Sequence, residues 1–290
     1  MSEKLKNLLI RTASGAVLLA VVLGAILWSK WSFGVLLLAI IIGGEREFYR
    51  LATKAGYQPQ KFLGYLAGAV IFVIAFACML FVVSDESVLK IERLLGLAVV
   101  LILYIILLVP MMFINELFRK STTPIANIGT TLMGIVYVAL PMSLLLFIPV
   151  LMGKGEWSPL TVLFYIFIIW ANDVFAYLFG ITLGKHRLFE RVSPKKSWEG
   201  FIGGLLGAMA MGYIAAIVTD GNHIEWIGMA LIAAISGVFG DLVESLFKRS
   251  VDVKDSGRIL PGHGGWLDRF DALILSVPFV FLYLIFSAII

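Results

Sequence analysis

Long, unbroken apolar segments constrain the fold of this chain more than any other feature. They fall at about 8–27, 32–44, 62–83, 94–114, 126–151, 159–183, 199–219, 224–247 and 272–290. A membrane-spanning helix needs about 20 apolar residues, whereas the strands of a membrane barrel alternate apolar and polar side chains. The chain is 60% hydrophobic and only 14% charged, too little charge to cover a soluble surface. The sequence therefore predicts an all-α polytopic membrane bundle of about nine helices.

The distribution of basic residues predicts how these helices cross the membrane. With a cytoplasmic N-terminus, nineteen of the 23 Lys and Arg residues fall on the cytoplasmic side and four on the other. Lys and Arg concentrate in the cytoplasmic loops of membrane proteins. We therefore expect a cytoplasmic N-terminus, an external C-terminus and a first apolar segment that is retained rather than cleaved. This bias explains the net charge of +4, and no nucleic-acid partner is predicted.

No internal repeat or linker divides the chain, and we expect one membrane domain over 1–290. Within it, 1–158 supplies N-terminal helices and 159–290 a catalytic half with two polar cytoplasmic loops, 184–199 and 248–271. The second loop has 24 residues, and polar loops of this length in compact proteins are usually functional or disordered.

A third polar gap, at 43–61, combines arginines with aromatic residues and is compatible with an amphipathic helix at the membrane surface. At the start of the seventh segment, small residues are spaced for close helix packing, within the chain or across a dimer. These small residues are Gly200, Gly203, Gly204 and Gly207.

Three ionisable residues lie inside the apolar segments, namely Asp173 in the sixth and Asp241 and Glu244 in the eighth. A charge at the centre of a membrane helix costs at least about 2.5 kcal/mol, so such residues usually face a site or a water-filled cavity. Asp241 and Glu244 are three residues apart and share a helix face with Ser245. The predicted topology turns all three acids toward the cytoplasm. An interhelical salt bridge or hydrogen bond is the alternative.

The longer loop ends in Asp268 and Asp271, at the entrance to the ninth segment. Two carboxylates three residues apart in a first helical turn can bind one face of a metal ion, although capping alone would explain one of them. Together with Asp241 they form an oxygen-rich set that suits Mg²⁺ better than zinc. His263 lies in a glycine-rich stretch whose backbone can approach a phosphate closely.

Ser193 and Pro194 resemble the N-cap and first residue of a helix that opens the seventh segment. Lys195 and Lys196 would then occupy a first helical turn, where cations oppose the helix dipole unless an anion binds there. This arrangement indicates a polyphosphate site, and ordinary cytoplasmic lysines are the alternative. The same two interpretations apply to Lys248, Arg249, Lys254, Arg258 and Arg269.

These motifs closely resemble the signature of the phosphatidate cytidylyltransferases, also called CDP-diacylglycerol synthases. The resemblance is strong over about 170–272 and gives no role to any residue of the N-terminal third. Its main part reads Ser245-x-x-Lys248-Arg249, Lys254-Asp255, Pro261-Gly262-His263-Gly264-Gly265 and Asp268-Arg269-x-Asp271. Upstream, Asp173-x-x-Ala176-Tyr177, Ser193-Pro194-Lys195-Lys196-Ser197 and Gly240-Asp241-x-x-Glu244 are similar to the same family.

The resemblance implies transfer of a cytidylyl group from CTP to phosphatidate, giving CDP-diacylglycerol and pyrophosphate. It also implies Mg²⁺ dependence with metal on Asp241, Asp268 and the nearby Asp271, a K⁺ ion in some members, and a homodimer. The compact length favours a bacterial inner-membrane enzyme with a cytoplasmic site that meets membrane lipid. The expected catalytic residues are Asp241, Asp268, Asp271, Lys248 and Arg269. The expected substrate-binding residues are Asp173, Lys195, Lys196, Glu244, Ser245, Arg249, Lys254, Asp255, Gly262, His263, Gly264 and Gly265.

Two other functions remain open from the sequence. A CTP-dependent polyprenol or dolichol kinase would share a metal and a triphosphate site but would release CDP instead of pyrophosphate. A transporter is a remote alternative, because buried acids can line a path across the membrane. The crowding of polar features into one half and one side of the chain favours a one-sided catalytic site.

Overall fold

The structure, a computed structural model, describes the backbone of 3–84, 87–257 and 264–289, with side chains for 12–84, 92–257 and 264–289. In these residues, α-helices predominate and a single two-stranded hairpin is present. Seven of the described helical stretches are long and apolar enough to cross a membrane. The predicted all-α membrane architecture is therefore confirmed.

The elements follow the chain in two halves. The first half contains α1 (Glu3–Trp28), α2 (Lys30–Lys54), α3 (Lys61–Val83), α4 (Ser87–Phe118), α5 (Pro124–Gly134), a π-helical turn (Ile135–Ala139), α6 (Leu140–Leu144) and α7 (Ile148–Met152). The second half contains α8 (Pro159–Leu183), β1 (Arg187–Phe189), β2 (Ser193–Ser197), α9 (Trp198–Val218), α10 (His223–Ser250) and α11 (Leu267–Ile289).

The seven candidate spans of the described residues correspond to the third to ninth predicted segments, with α5 to α7 together forming one span, Pro124–Met152. Ahead of them, Thr12–Trp28 is a shorter apolar helix. Ser29 separates α1 from α2 and caps α2, its hydroxyl accepting a hydrogen bond from the Ser32 N–H at 3.1 Å. The count of about nine spans and the cytoplasmic N-terminus stay predictions.

The segment 43–61 does not form the separate helix that its sequence suggested. Its first part continues α2 without a break to Lys54. Glu45, Glu47 and Tyr49 are at most 1% exposed there, whereas Arg46 and Arg50 are exposed. The Tyr49 hydroxyl donates to the Thr131 carbonyl of α5 at 2.9 Å, so protein partners hold this half of α2 inside the bundle.

Helix α9 begins four residues later than its sequence suggested, because Ser197 rather than Ser193 is the N-cap. The Ser197 hydroxyl accepts a hydrogen bond from the Gly200 N–H at 3.2 Å. The stretch Ser193–Ser197 instead forms β2, antiparallel to β1. Lys195 and Lys196 therefore precede the helix and do not lie in its first turn.

Glu199 gives the physical reason for this start. It lies in the first turn of α9, and its carboxylate accepts hydrogen bonds from the backbone N–H groups of Lys185 at 3.1 Å and His186 at 3.3 Å. The His186 ring also contacts Glu199 at 2.6 Å. These contacts join the hairpin to the first turn of the helix that begins after Ser197.

Glycines allow the helices of the second half to approach closely. The predicted stripe of small residues packs within the chain, since a Cβ at Gly200 would lie 2.7 Å from the Ala176 carbonyl oxygen of α8. A second approach joins α10 to α11, where a Cβ at Gly240 would lie 3.0 Å from the Cα of Ala272. The residues next in sequence, Asp241 and Asp271, are thereby brought to one place.

We expect Gly204→Ala to lower the melting temperature of the purified protein in detergent. A Cβ there would lie 2.6 Å from Asn172 Oδ1 and 2.9 Å from the Asn172 carbonyl oxygen, and such overpacking costs about 1–3 kcal/mol. Gly96→Ala in α4 is the matched control, because a Cβ there meets nothing within 4 Å. Equal melting temperatures for the two variants would contradict close packing of α9 on α8.

Candidate active site

Three carboxylates from α10 and α11 converge in the second half of the chain. One oxygen from each of Asp241, Glu244 and Asp271, hereafter the acidic cluster, lies within 4.8 Å of the other two. Glu244 is fully buried, and its Oε1 has no hydrogen-bond partner among the described residues. Three carboxylates this close repel one another unless positive charge lies among them. The acidic cluster therefore fits a hard divalent cation with oxygen ligands.

Lys248 lies one turn after Glu244 and links the acidic cluster to α11. Its ammonium group contacts the Glu244 carboxylate and donates to Asp268 Oδ1 at 2.7 Å. The side chains of Lys248 and Asp268 are 12% and 7% exposed, so water screens this pair less than it screens a surface pair. One cation thus bridges an acid of its own helix and an acid of the next.

Asp268 has protein partners on both of its oxygens. Besides the Lys248 contact at Oδ1, its Oδ2 accepts the N–H of Gly265 at 2.8 Å and that of Ser256 at 2.9 Å. The adjacent Gly264 has a φ of +78°, a backbone conformation that favours glycine, and a Cβ there would lie 2.5 Å from Asp268 Oδ2. Asp268 is therefore tied to the acidic cluster through Lys248, and Glu244 supplies the third carboxylate of the cluster.

The hairpin between α8 and α9 brings a second cation to the site. Lys196 of β2 donates to Asp241 Oδ2 at 2.6 Å, and the Ser245 hydroxyl lies 3.4 Å from Asp241 Oδ1. Lys195, the preceding residue of β2, is exposed. Both predicted lysines therefore reach the site on a strand and not at a helix N-terminus.

Two cavities of about 480 Å³ each flank these charges. The basic cavity lies between α8, the hairpin and α9, and is lined by Arg187, Lys195 and Lys196 together with Asp241. The apolar cavity lies between α1, α8 and α11, and its walls include Leu18, Val22 and Ile169, while Asp268 and Asp271 line its polar end. Asp173 of α8 lines both cavities.

The other predicted residues lie farther out or cannot be placed. Arg269 is exposed and lines the apolar cavity. Arg249 is exposed, and its Nη1 donates to the Val253 carbonyl at 3.4 Å. Lys254 and Asp255 are exposed. Arg258, Gly262 and His263 lie outside the described residues.

Two residues near the site were missed from the sequence. Glu47 of α2 accepts hydrogen bonds from the Ser256 hydroxyl at 2.8 Å and the Leu267 N–H at 3.0 Å. Tyr137 lies in the π-helical turn, and its buried hydroxyl has no partner among the described residues. Glu47 lies three residues after the second apolar segment, and that position carries no information about its distant partners. For Tyr137 no local signal existed, although π-helical turns are frequent at functional sites.

Comparison with known proteins identifies the family to which the sequence belongs. The model of a family described as "Cytidylyltransferase family" matches residues 9–287. The chain is 48% identical over 128 residues to "Phosphatidate cytidylyltransferase" of Staphylococcus aureus (strain COL), which is 43% of this chain and 49% of that protein. It is 45% identical over 126 residues to the protein of the same name from Staphylococcus saprophyticus, covering 43% and 48%. The chain thus spans about half the length of the curated relatives it matches.

Proposed function

We propose that this chain, which belongs to the cytidylyltransferase family, transfers a cytidylyl group from CTP to phosphatidate, forming CDP-diacylglycerol and pyrophosphate. The observation that carries the proposal is the meeting of a basic and an apolar cavity at one group of carboxylates. A nucleotide triphosphate needs cations, and a lipid phosphate needs an apolar path for its acyl chains. The name of the curated relatives supports the same pair of substrates.

The two cavities provide separate places for the two substrates. In this proposal the basic cavity holds the CTP triphosphate, because Arg187, Lys195 and Lys196 line it. The apolar cavity admits the phosphatidate, whose phosphate would lie at the polar end beside Arg269. Asp173, which lines both cavities, would stand between the two substrates.

The acidic cluster would hold Mg²⁺, for which an all-oxygen donor set is appropriate. Two of the three predicted ligands, Asp241 and Asp271, belong to the acidic cluster together with Glu244, whereas Asp268 is joined to Glu244 through Lys248. When bound, Mg²⁺ supplies positive charge that lowers the repulsion between the two phosphate substrates. A K⁺ ion and a homodimer stay predictions from the family resemblance.

The residues of the site would act by positioning and by neutralising charge. A phosphate oxygen of phosphatidate attacks the α-phosphorus of CTP, the bond from that phosphorus to the pyrophosphate oxygen breaks, and pyrophosphate leaves with its electrons. The attacking oxygen is already anionic near neutral pH, so no side chain must remove a proton. Lys195 and Lys196 would orient the triphosphate, while Lys248 keeps Glu244 and Asp268 in place.

We also propose that about nine helices cross a bacterial inner membrane with the N-terminus and the site in the cytoplasm. The support is the concentration of basic residues on one predicted side. It is also the association of the site with the two basic loops, since Lys196 and Lys248 both contact its acids.

Cysteine labelling tests this topology directly. Cys78 is the single cysteine of the chain, so Cys78→Ala gives a background for Lys154→Cys before α8 or Arg191→Cys in the hairpin. We expect a membrane-impermeant maleimide to label Lys154→Cys in spheroplasts and Arg191→Cys only in inside-out vesicles. The reverse pattern would contradict the proposed orientation.

Incubation of the purified protein with α-labelled CTP, phosphatidate and Mg²⁺ should transfer the label to lipid. We expect Asp241→Asn and Asp271→Asn to lower this transfer by about 10²–10³-fold or more, because each removes charge from the acidic cluster. Asp220→Asn, an exposed carboxylate between α9 and α10, is the matched control and should stay active. Near-normal transfer by both cluster variants would refute the proposed metal site.

Lys196→Gln should raise the KM for CTP by roughly tenfold, the effect of losing one charge-assisted hydrogen bond. The KM for phosphatidate should change little, because Lys196 lines only the basic one of the two cavities. Steady-state rates with each substrate varied in turn give both constants. Lys154→Gln, outside both cavities, is the charge-matched control. A selective rise in the KM for phosphatidate would reverse the assignment of the cavities.

A further inference from the structure

We propose that Glu47 of α2 is a positioning residue for metal binding at the acidic cluster, a role that rests on the cytidylyl transfer proposed above. Through Ser256 it holds Asp268, and Lys248 joins Asp268 to Glu244 of the cluster. Glu47 belongs to the N-terminal helices, for which the family resemblance gives no role. It is 1% exposed, yet its carboxylate contacts residues more than 200 positions away in sequence. Such a buried charge is costly unless its contacts compensate for lost hydration.

Glu47 contacts two residues that precede and begin α11, namely Ser256 and Leu267. Its Oε2 accepts the Ser256 hydroxyl at 2.8 Å and the Leu267 N–H at 3.0 Å. Leu267 is the first residue of α11, so its N–H has no acceptor within that helix. Glu47 therefore caps α11 from a distant helix, and its negative charge suits the N-terminal end of the α11 dipole.

Ser256 lies between Glu47 and Asp268 and contacts both carboxylates. Its hydroxyl oxygen lies 2.8 Å from Glu47 Oε2 and 2.9 Å from Asp268 Oδ2, and its backbone N–H also donates to Asp268 Oδ2 at 2.9 Å. The hydroxyl has one hydrogen, so it can donate to only one of the two carboxylates at a time. Ser256 is 3% exposed, which leaves water little access to replace these bonds.

The backbone around Glu47 is shaped to fit its carboxylate. A Cβ at Gly257 would overlap Glu47 Oε1, and a Cβ at Gly265 would overlap Glu47 Oε2. One turn earlier in α2, Gly43 leaves room for the Trp266 ring, which a Cβ would overlap. Gly43 and Glu47 share one helix face, so one face of α2 packs against the residues that lead into α11, the helix that carries Asp268.

Glu45 supplies a matched control within the same helix. It is also fully buried, but it packs against Gly68 of α3, and its oxygens have no hydrogen-bond partner among the described residues. Glu45→Gln therefore removes a buried charge from α2 without touching the loop. Glu47→Gln removes the charge that Ser256 and Leu267 contact.

The decisive experiment is an electron paramagnetic resonance titration of Mn²⁺ into the purified full-length protein without substrates. We expect Mn²⁺ to bind Glu47→Gln about tenfold more weakly than wild type, as is typical when a residue behind a metal ligand is changed. Glu45→Gln should bind Mn²⁺ as wild type does. Ser256→Ala should reproduce the loss, and it serves as the second variant if Glu47→Gln does not fold.

Activity provides a second readout. In the lipid-labelling assay, Glu47→Gln and Ser256→Ala should raise the Mg²⁺ concentration for half-maximal rate about tenfold while the KM for CTP changes little. The double variant should lose about as much Mn²⁺ affinity as the more affected single variant, because both residues act through the same bond. A purely structural role would lower the melting temperature and leave metal affinity unchanged.

The outcomes separate this proposal from the proposed function. Wild-type Mn²⁺ affinity in both Glu47→Gln and Ser256→Ala would overturn the role of Glu47, whatever the activity. Failure of the wild-type protein to bind Mn²⁺ would also overturn it. Weakened Mn²⁺ binding in a protein that never labels lipid would support the role of Glu47 and refute cytidylyl transfer.

Discussion

The contact of one ammonium group with two acids of neighbouring helices organises the second half of this protein. Lys248 bridges Glu244 of α10 and Asp268 of α11 at a place with little access to water. Loss of Lys248 would leave two buried carboxylates without this cation, and an uncompensated buried charge typically costs about 3–5 kcal/mol. Gly240 allows α10 and α11 to approach closely enough for this bridge, and the same approach brings Asp241 beside Asp271.

Elements distant in sequence contribute further contacts around this bridge. The hairpin supplies Lys196 to Asp241, and α2 supplies Glu47 to the loop before α11. Asp241 lines the basic cavity and Asp271 lines the apolar cavity, so the acidic cluster borders both. Charged side chains of α10, α11 and the hairpin thus lie together beside the two cavities.

Local sequence patterns predicted part of this arrangement. Hydropathy located the spans, and the three-residue spacing of Asp241 and Glu244 put both on one helix face. The start of α9 was misplaced because Ser193 and Ser197 are both acceptable caps, and Glu199 selects between them through the backbone of Lys185 and His186. The role of Glu47 could not be predicted, since its partner Ser256 lies 209 residues away. Periodicity and cap signals carry no information at that separation.

The basis of the proposed chemistry is that the acidic cluster and its lysines direct attack to the α-phosphorus of CTP. A kinase acting on a lipid would use similar charges but would cleave the bond to the γ-phosphorus. Phosphorus-31 nuclear magnetic resonance of the purified wild-type protein with CTP, phosphatidate and Mg²⁺ distinguishes the two by their products. We expect free pyrophosphate together with a lipid that carries a diphosphate diester. Release of CDP without pyrophosphate would contradict attack at the α-phosphorus.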